Sequence, residues 1–371
     1  MKKKIYFIFS ITIFYSLIFN NVSIIGFEYP SSFTEIGSIA SGTDIINMRF
    51  IDNDLAFLVE IDRGLAVYDI SKPYNCIELD FFPLSFVHDI ELDLTRKLAF
   101  ITALNGVNIF NFTDPTHLRL LSVYKNYTSS RYIQLKGQFL YIGAEEDGLQ
   151  VVDVSNASNP IMIDCWIDSV GYVGPVYILG DFAFVGIYTP NNNAPPTIIA
   201  LKLLDISDPK DITYLSTVDV GGGYSGGVPR AYYEDSVYLN DYENGLKILD
   251  FSIPSNVTVK GVYFDGGSIN DVKLVNNETA FLADDRFGLK IINCTNPNNL
   301  LKIGSYEHQW KTIRVAVEDD IVYLGTQEGG VRIITTETNA IVISIHPIFI
   351  ISNLFVGSLI LVYIFKKKKY H

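Results

Sequence analysis

The chain has 371 residues, of which 48% are hydrophobic and 19% are charged, a composition that excludes an intrinsically disordered protein. Its formal net charge of −13 argues against a nucleic-acid-binding protein, because phosphate binding requires a basic surface. Plentiful Tyr (23) and Phe (24) with scarce Met (3) favour β-strands over helices.

The N-terminus has the pattern of a secretory signal. Lys2 to Lys4 precede an apolar run from Ile5 to Phe19, and a basic segment followed by such a run directs export. Gly26 is a small residue at which a signal peptidase could cut, so residues 1–26 are interpreted as a signal peptide. An uncleaved anchor is the alternative, because Asn20 and Asn21 form the only strongly polar break in this segment.

The middle of the chain contains one motif written seven times. Each copy reads Gly-Leu-x-Ile/Val-x-Asp-x-Ser or a close variant, and successive copies start 42 to 52 residues apart. The copies start at Gly64, Gly106, Gly148, Ala200, Gly245, Gly288 and Gly330. Alternating apolar segments and turn signals surround each copy, which predicts four antiparallel strands per unit. Units of roughly 40–45 residues with four strands are typical of β-propellers.

The polar end of the motif has a structural interpretation. An Asp or Asn followed two residues later by Ser or Thr can hydrogen-bond the backbone just ahead and end a strand. Pro follows in six copies, where no ladder donor is available. The repeated Asp is therefore expected to form a turn rather than a catalytic or metal site.

The motif resembles the LVIVD repeat, a bacterial and archaeal surface β-propeller repeat. The resemblance covers about residues 34–338 and departs at Ala200, in place of Gly, and at Thr335, in place of Asp. A WD40-like propeller is the runner-up, although the units lack a repeated Trp-Asp pair. The resemblance implies an all-β fold, a seven-bladed β-propeller of four-stranded antiparallel blades, and does not identify a ligand.

The ring is predicted to close through both ends of the propeller. The seventh copy lacks a fourth strand, whereas a spare strand, Thr34 to Ala40, precedes the first copy. Pairing this strand into the last blade would cover two sheet edges.

A membrane anchor is predicted after the propeller. Residues 341–365 are mostly apolar and contain no Asp, Glu, Lys or Arg, and about 25 residues can cross a bilayer core of about 30 Å as a helix. Lys366 to Lys369 follow at once and mark the cytoplasmic side. Residues 27–340 are thus predicted to form an extracytoplasmic propeller, residues 341–365 a transmembrane helix and residues 366–371 a cytoplasmic basic tail of a single-pass cell-membrane protein.

The face of the propeller away from the membrane is predicted to be the binding surface. A tether of about five residues after Thr336 would hold the motif turns toward the membrane. The opposite loops gather acids and aromatics, which suit a protein, peptide or carbohydrate at the cell surface. The binding candidates are Glu145, Asp147, Asp241, Glu243, Asp284, Asp285, Trp166, Tyr224, Arg230 and Trp310. Ca²⁺ is possible on the carboxylates, but no Asp-x-Asp-x-Asp-Gly loop is present, so neither a metal site nor a cofactor is assigned.

The alternative function is an extracytoplasmic hydrolase with its site at the mouth of the propeller channel. His88, Asp89 and Arg131 are the candidates for that position. No Gly-x-Ser-x-Gly motif is present and no catalytic residue is assigned. A polar residue lining a wet channel explains His88 more simply, so the sequence favours a binding module over an enzyme.

Export is also consistent with the sequons of the chain. The glycosylation candidates are Asn126, Asn156, Asn256 and Asn277, whereas the sequons at Asn111 and Asn293 coincide with the motif's Asp position. The three cysteines, Cys76, Cys165 and Cys294, lie in different units and predict no disulfide framework.

Overall fold

The computed structural model describes residues 33–127, 129–189, 198–218, 228–241, 244–276, 278–286 and 288–336. Within these residues the chain forms 28 β-strands in seven antiparallel sheets of four strands. The chain divides into residues 1–338, to which every described strand belongs, and residues 339–371. No helix among the described residues is long and apolar enough to cross a bilayer. The predicted signal peptide, transmembrane helix and basic tail lie outside the described residues.

Each sheet is one blade with an innermost, a second, a third and an outermost strand. The innermost strands of blades one to seven are β2 (Ile45–Ile51), β6 (Ile90–Asp93), β10 (Tyr132–Lys136), β14 (Tyr172–Leu179), β18 (Val228–Tyr233), β22 (Ile269–Asn276) and β26 (Thr312–Glu318). The second strands are β3 (Leu55–Glu60), β7 (Leu98–Ala103), β11 (Phe139–Gly143), β15 (Phe182–Tyr188), β19 (Ser236–Asp241), β23 (Thr279–Asp284) and β27 (Ile321–Thr326).

The motif copies form the third strands of the blades. These are β4 (Gly64–Asp69), β8 (Gly106–Asn111), β12 (Leu149–Asp153), β16 (Ile198–Asp205), β20 (Gly245–Asp250), β24 (Gly288–Asn293) and β28 (Gly330–Thr336). The outermost strands are β5 (Ile77–Pro83), β9 (Arg119–Tyr124), β13 (Ile161–Trp166), β17 (Thr213–Val218), β21 (Thr258–Tyr263), β25 (Leu301–Tyr306) and, in blade seven, β1 (Phe33–Ile39). Neighbouring innermost strands contact one another around the ring, from β2 through β26 and back to β2. The predicted seven-bladed propeller is confirmed.

The core of the propeller lies between adjacent blades rather than within one sheet. Successive side chains of a strand point to opposite faces, and both faces of each blade are covered by a neighbour. In β3, Phe57 and Val59 pack toward blade two, whereas Ala56 and Leu58 pack toward blade seven. All four side chains are fully buried. Burial on both faces explains why the second strands read as continuous apolar runs instead of alternating patterns.

The ring closes as the sequence predicts. Strand β1 pairs antiparallel with β28, with Phe33 opposite Thr336 and Ile39 opposite Val331. Ile39 is buried in the core between blades seven and one. Between β28 and β1, the guanidinium of Arg332 lies 3.1 Å from the carboxylate of Glu35. The first described strand therefore completes the last blade and covers the exposed edge of β28.

The motif glycine is required by the backbone at the start of the third strand. Gly64 has a φ of 121°, and a Cβ there would lie 2.4 Å from the carbonyl oxygen of Phe82. A side chain is excluded both by this conformation and by the close approach of the outermost strand. Ala200 departs from the motif because β16 begins earlier, at Ile198, so Ala200 lies inside a strand and opposite Ile187.

Outermost strands also contact the motif turn of the following blade. The carboxylate of Asp80 in β5 accepts a hydrogen bond from the amide of Leu118 in blade two, at 2.6 Å. At the junction of blades seven and one, Gly37 in β1 occupies a similar place. A Cβ on Gly37 would lie only 1.7 Å from the carbonyl oxygen of Pro73. Small or hydrogen-bonding residues are therefore needed where an outermost strand contacts the motif turn of the following blade.

Candidate functional site

The two faces of the propeller carry different connections. We call loop face the one that contains the hairpins between second and third strands and the connections between blades. We call turn face the opposite one, which contains the motif turns. On the turn face, the backbone amide of Ser71 donates to Oδ1 of Asp69 at 2.9 Å. The same bond recurs at Asn111, Asp153, Asp205, Asp250 and Asn293.

These turn bonds explain the repeated Asp of the motif. Hydrogen bonds from the hydroxyl and amide of Ser71 lower the pKa of Asp69 below its usual range. Thr335, which replaces the motif Asp in blade seven, lies within a strand that pairs with β1 instead of preceding a turn. The expected structural role of this position is confirmed by its geometry.

Two of the predicted binding acids are buried in ion pairs with the motif itself. Asp241 and Asp284 end the second strands of blades five and six, and both are fully buried. Nζ of Lys247 lies 2.6 Å from Oδ2 of Asp241, and Nζ of Lys290 lies 2.7 Å from Oδ2 of Asp284. Both lysines occupy the third position of their motif copies. These pairs hold the loop-face hairpins in position, a role that the sequence did not indicate.

The other acidic candidates are less deeply buried than Asp241 and Asp284. Asp285 is buried, with its carboxylate 3.4 Å from Nζ of Lys311. Glu145 is half-buried, and its Oε1 lies 3.7 Å from Nε of Arg131. Asp147 is also half-buried. The structure thus brings Glu145 together with one of the predicted channel-mouth residues, on the loop face of blade three.

The aromatic and basic candidates are distributed over separate places. Trp166 is half-buried and packs against the core between blades three and four. The guanidinium of Arg332 lies 3.7 Å from the ring centroid of Trp310. This contact stabilises β28, the strand that pairs with β1. Arg230 lines the central channel rather than the loop face. Tyr224 and Glu243 lie outside the described residues.

A pocket of about 440 Å³ opens on the loop face between blades two and three, and we call it the loop-face pocket. It is lined by Phe86, His88, Ala103, Leu104, Asn105, Gly106, Lys125, Tyr127, Ser129, Ser130 and Arg131. Its lining thus combines basic and amide groups with apolar side chains. Pockets of this size and mixed chemistry can enclose a small ligand or one side of a peptide.

Two apolar residues of the loop-face pocket are unusually exposed. Phe86 is 65% exposed and Leu104 is 72% exposed. Phe86 also has a φ of 53°, in the left-handed region that aromatic residues rarely adopt. A non-glycine residue there costs roughly 1–2 kcal/mol, and such strain is concentrated at functional sites. Neither residue was among the sequence candidates, because nothing in the sequence marks Phe86 as strained or exposed.

The structure separates His88 from Asp89, which were predicted to act together. His88 lines the loop-face pocket, whereas Asp89 lines the channel, because successive residues of an extended chain point to opposite sides. Burial, followed by the nearby charge of Arg131, lowers the pKa of His88 to about 4, so its imidazole is neutral at pH 7. The carboxylate of Asp89 accepts hydrogen bonds from Nδ2 of Asn47 and from the amide of Ile133, at 3.0 Å. It thereby joins blades one, two and three.

The central channel has a volume of about 300 Å³ and receives side chains from the innermost strands. Two of its arginines pair with an acid of the next blade. Nη2 of Arg49 lies 2.9 Å from Oε1 of Glu91, and Nε of Arg230 lies 3.7 Å from Oδ1 of Asp271. Burial raises the pKa of Asp89 and of Glu91 above the usual range. The channel is therefore a polar, ion-paired space and not a packed apolar core.

Metal and glycan candidates stay predictions. Among the described residues, no three His, Cys, Asp or Glu side chains come together in a way that could hold a metal ion. Asn126, Asn156 and Asn256 are exposed, and Asn277 lies outside the described residues. Calcium binding and glycosylation are tested by neither observation.

The comparisons with known proteins agree with the repeat and the fold. The LVIVD repeat family matches residues 129–165 and 222–265. The computationally designed Ika8 protein, known from a crystal structure, is similar in fold, with a TM-score of 0.58 at 14% sequence identity. That match covers 81% of this chain and 99% of the designed protein. No curated protein matches the sequence. The similarity to the designed protein concerns the fold alone.

Proposed function

We propose that this protein is a membrane-anchored, cell-surface β-propeller that acts as a binding module, and that the loop-face pocket is the centre of its binding surface. The proposed partner is a protein, peptide or carbohydrate outside the cell. The anchoring part of the proposal is supported by the sequence of residues 341–369, with its apolar run and terminal lysines. The binding part is supported by the geometry of the loop-face pocket.

One observation carries the binding proposal. Phe86 keeps an aromatic ring exposed at the rim of the pocket although its backbone is strained. Leu104 is exposed in the same pocket, beside the basic groups of Lys125 and Arg131. Exposed apolar side chains within a polar rim are typical of interaction sites, where burial by a partner repays their exposure to water.

The test separates binding from folding through the choice of substitution. Phe86→Asn is expected to fold at least as stably as the wild type, because Asn tolerates the left-handed region better than Phe. The same variant should lose binding, because it removes the exposed ring. Full-length protein in detergent would be screened against glycan and peptide arrays, and the wild-type ligands would then be titrated against Phe86→Asn and Leu104→Ser.

The matched control is Ile253→Ser. Ile253 is 56% exposed but lies at the motif turn of blade five, on the turn face. The Ile253→Ser variant should bind every array ligand as the wild type does. If Phe86→Asn and Leu104→Ser bind like the control, the loop-face pocket is not the binding site. If the wild type binds no member of either array, the peptide and carbohydrate classes are wrong.

Membrane topology is tested separately on intact cells. A protease added outside is expected to digest the propeller, whereas a tag placed after Lys369 should be protected until the membrane is opened. Protection of the propeller in intact cells would contradict the proposed surface location.

A further inference from the structure

The central channel contains a half-buried arginine, Arg314, that forms no salt bridge with the described residues. Nη1 of Arg314 donates to the carbonyl of Ile313 at 3.0 Å. Its Nε is buried and has no hydrogen-bond partner in the part of the chain that the structure describes. No carboxylate among the described residues lies within salt-bridge distance of Arg314, whereas Arg49 and Arg230 in the same channel each have one. A buried guanidinium N–H without an acceptor is costly, so each such group requires an explanation.

The nearby carboxylates are already occupied. Oδ2 of Asp271 accepts the amide of Val315 at 3.1 Å, and its Oδ1 faces Arg230. The two oxygens of Asp89 accept the interblade bonds described above. Neither acid can turn to Arg314 without giving up a bond that joins two blades.

Arg230 and Arg314 also affect each other. Both line the channel at the same level. Each directly precedes a residue that is buried between blades, Ala231 after Arg230 and Val315 after Arg314. Burial, followed by the positive charge of Arg230, lowers the pKa of Arg314 to about 10. Two guanidinium groups that converge on a confined polar space form a site in which an anion is favoured.

We propose that the channel binds a small monocarboxylate, held by the guanidinium of Arg314 and flanked by Arg230. A planar carboxylate can accept two parallel hydrogen bonds from one guanidinium. The volume of about 300 Å³ accommodates a small organic acid. This site is distinct from the loop-face pocket and does not depend on the function proposed for that pocket.

The charge of the channel favours a monovalent anion over phosphate. The channel is lined by the basic residues Arg49, Arg230, Lys273 and Arg314 and by the acids Asp89, Asp271 and Glu318. Glu91, which pairs with Arg49, supplies a fourth negative charge beside the lining. A single added negative charge beside Arg314 is tolerated, whereas a phosphate dianion would meet the repulsion of Asp89 and Asp271. The carboxylate can belong to a free acid or to the C-terminus of a peptide that enters the channel.

The experiment measures the melting temperature of the full chain in detergent at constant ionic strength, with increasing sodium acetate, propionate, phosphate or chloride. Acetate and propionate are expected to raise the melting temperature saturably, since a ligand that binds only the folded state stabilises it. A short peptide with a free C-terminus, compared with its amidated form, distinguishes the two sources of the carboxylate. A saturable shift with the free-ended peptide alone would assign the site to a peptide terminus.

Arg314→Met is the diagnostic variant. Removing a guanidinium whose buried Nε has no acceptor should leave the melting temperature without ligand equal or higher, while the affinity for acetate falls at least about tenfold. Arg119→Met, in the outermost strand of blade two, is the matched control and should keep the acetate response. If Arg314→Met does not fold, Arg230→Gln provides the same test. This variant keeps Arg314 and its bond to the carbonyl of Ile313, and it should weaken acetate binding.

The outcomes are separable. A saturable carboxylate response that Arg314→Met abolishes supports the site. A response to phosphate or chloride of equal size would show a non-selective charge effect, and no saturable response of the wild type would show that the channel holds only water. Either result overturns the proposal. Neither result bears on the loop-face pocket, which is tested by Phe86→Asn.

Discussion

Ring closure by β1 predicts that Ile39→Ala destabilises the whole propeller. Ile39 is 3% exposed and lies in the cluster between blades seven and one, together with Ile45, Tyr323 and Val331. Replacing a buried Ile with Ala removes apolar contacts and leaves a cavity, which costs about 2–5 kcal/mol. We expect a value of about 3 kcal/mol, because Ile39 is the last residue of an outermost strand and its surroundings can partly relax.

The expected free energy can be converted to a shift in melting temperature. Unfolding entropy is about 2 cal/mol/K per residue, so for roughly 300 residues a loss of about 3 kcal/mol lowers the Tm by about 5 °C. Thermal unfolding of the full chain, followed by near-ultraviolet circular dichroism, would measure the shift. Because β1 completes blade seven and Ile39 also packs against blade one, the transition should remain a single cooperative step in Ile39→Ala.

The control for Ile39→Ala is the same substitution at Ile77. Ile77 begins the outermost strand of blade one but is 52% exposed, so its replacement should change stability by no more than about 0.5 kcal/mol. Equal shifts for the two variants would refute the closure argument.

Deleting residues 27–40 should be far more severe than Ile39→Ala, since the deletion exposes the edge of β28. A deletion variant that melts like the wild type would also contradict ring closure by β1.

Three further predictions concern the repeat itself. Gly37→Ala should lower the Tm and express poorly, because its Cβ would lie 1.7 Å from the carbonyl oxygen of Pro73; an unchanged Tm would show that this junction can open without cost. Asp69 has a lowered folded-state pKa, so its stabilisation is present above about pH 4, the unfolded-state value, and is lost as the pH falls through the folded-state value. Asp69→Asn should keep the turn but reduce this acid sensitivity, measured as Tm at pH 3 and at pH 6. Lys290→Met leaves the buried carboxylate of Asp284 without its cation and should cost about 3–5 kcal/mol in denaturant titration, and a loss below about 1 kcal/mol would show that the pair is dispensable.

Much of the fold follows from short-range regularities in the sequence. The motif predicts both the strand and the turn that ends it, because a glycine with positive φ at one end and an Asp that accepts an amide at the other are local requirements. The spare strand before the first copy and the missing strand after the last predict the pairing of β1 with β28, since an unpaired edge is unfavourable.

The site residues could be predicted less well because side-chain environments depend on distant parts of the chain. Asp241 and Asp284 look like exposed loop acids in the sequence, but they end second strands and are buried against motif lysines. His88 and Asp89 are adjacent in sequence, yet they line different cavities. The exposed ring of Phe86 carries no sequence signal at all.

The sequence by itself determined the number of blades, the strand order within them and the closing strand, because each repeat carries its own turn and strand signals over about 40 residues. The tertiary structure alone decided which charges are neutralised. Arg314 comes from blade seven, while the nearby acids Asp89 and Asp271 already accept hydrogen bonds that join neighbouring blades, so its state depends on contacts among residues far apart in the chain. Pairing of buried charges is a property of the assembled ring, since desolvation and Coulomb attraction act between groups that only packing brings together.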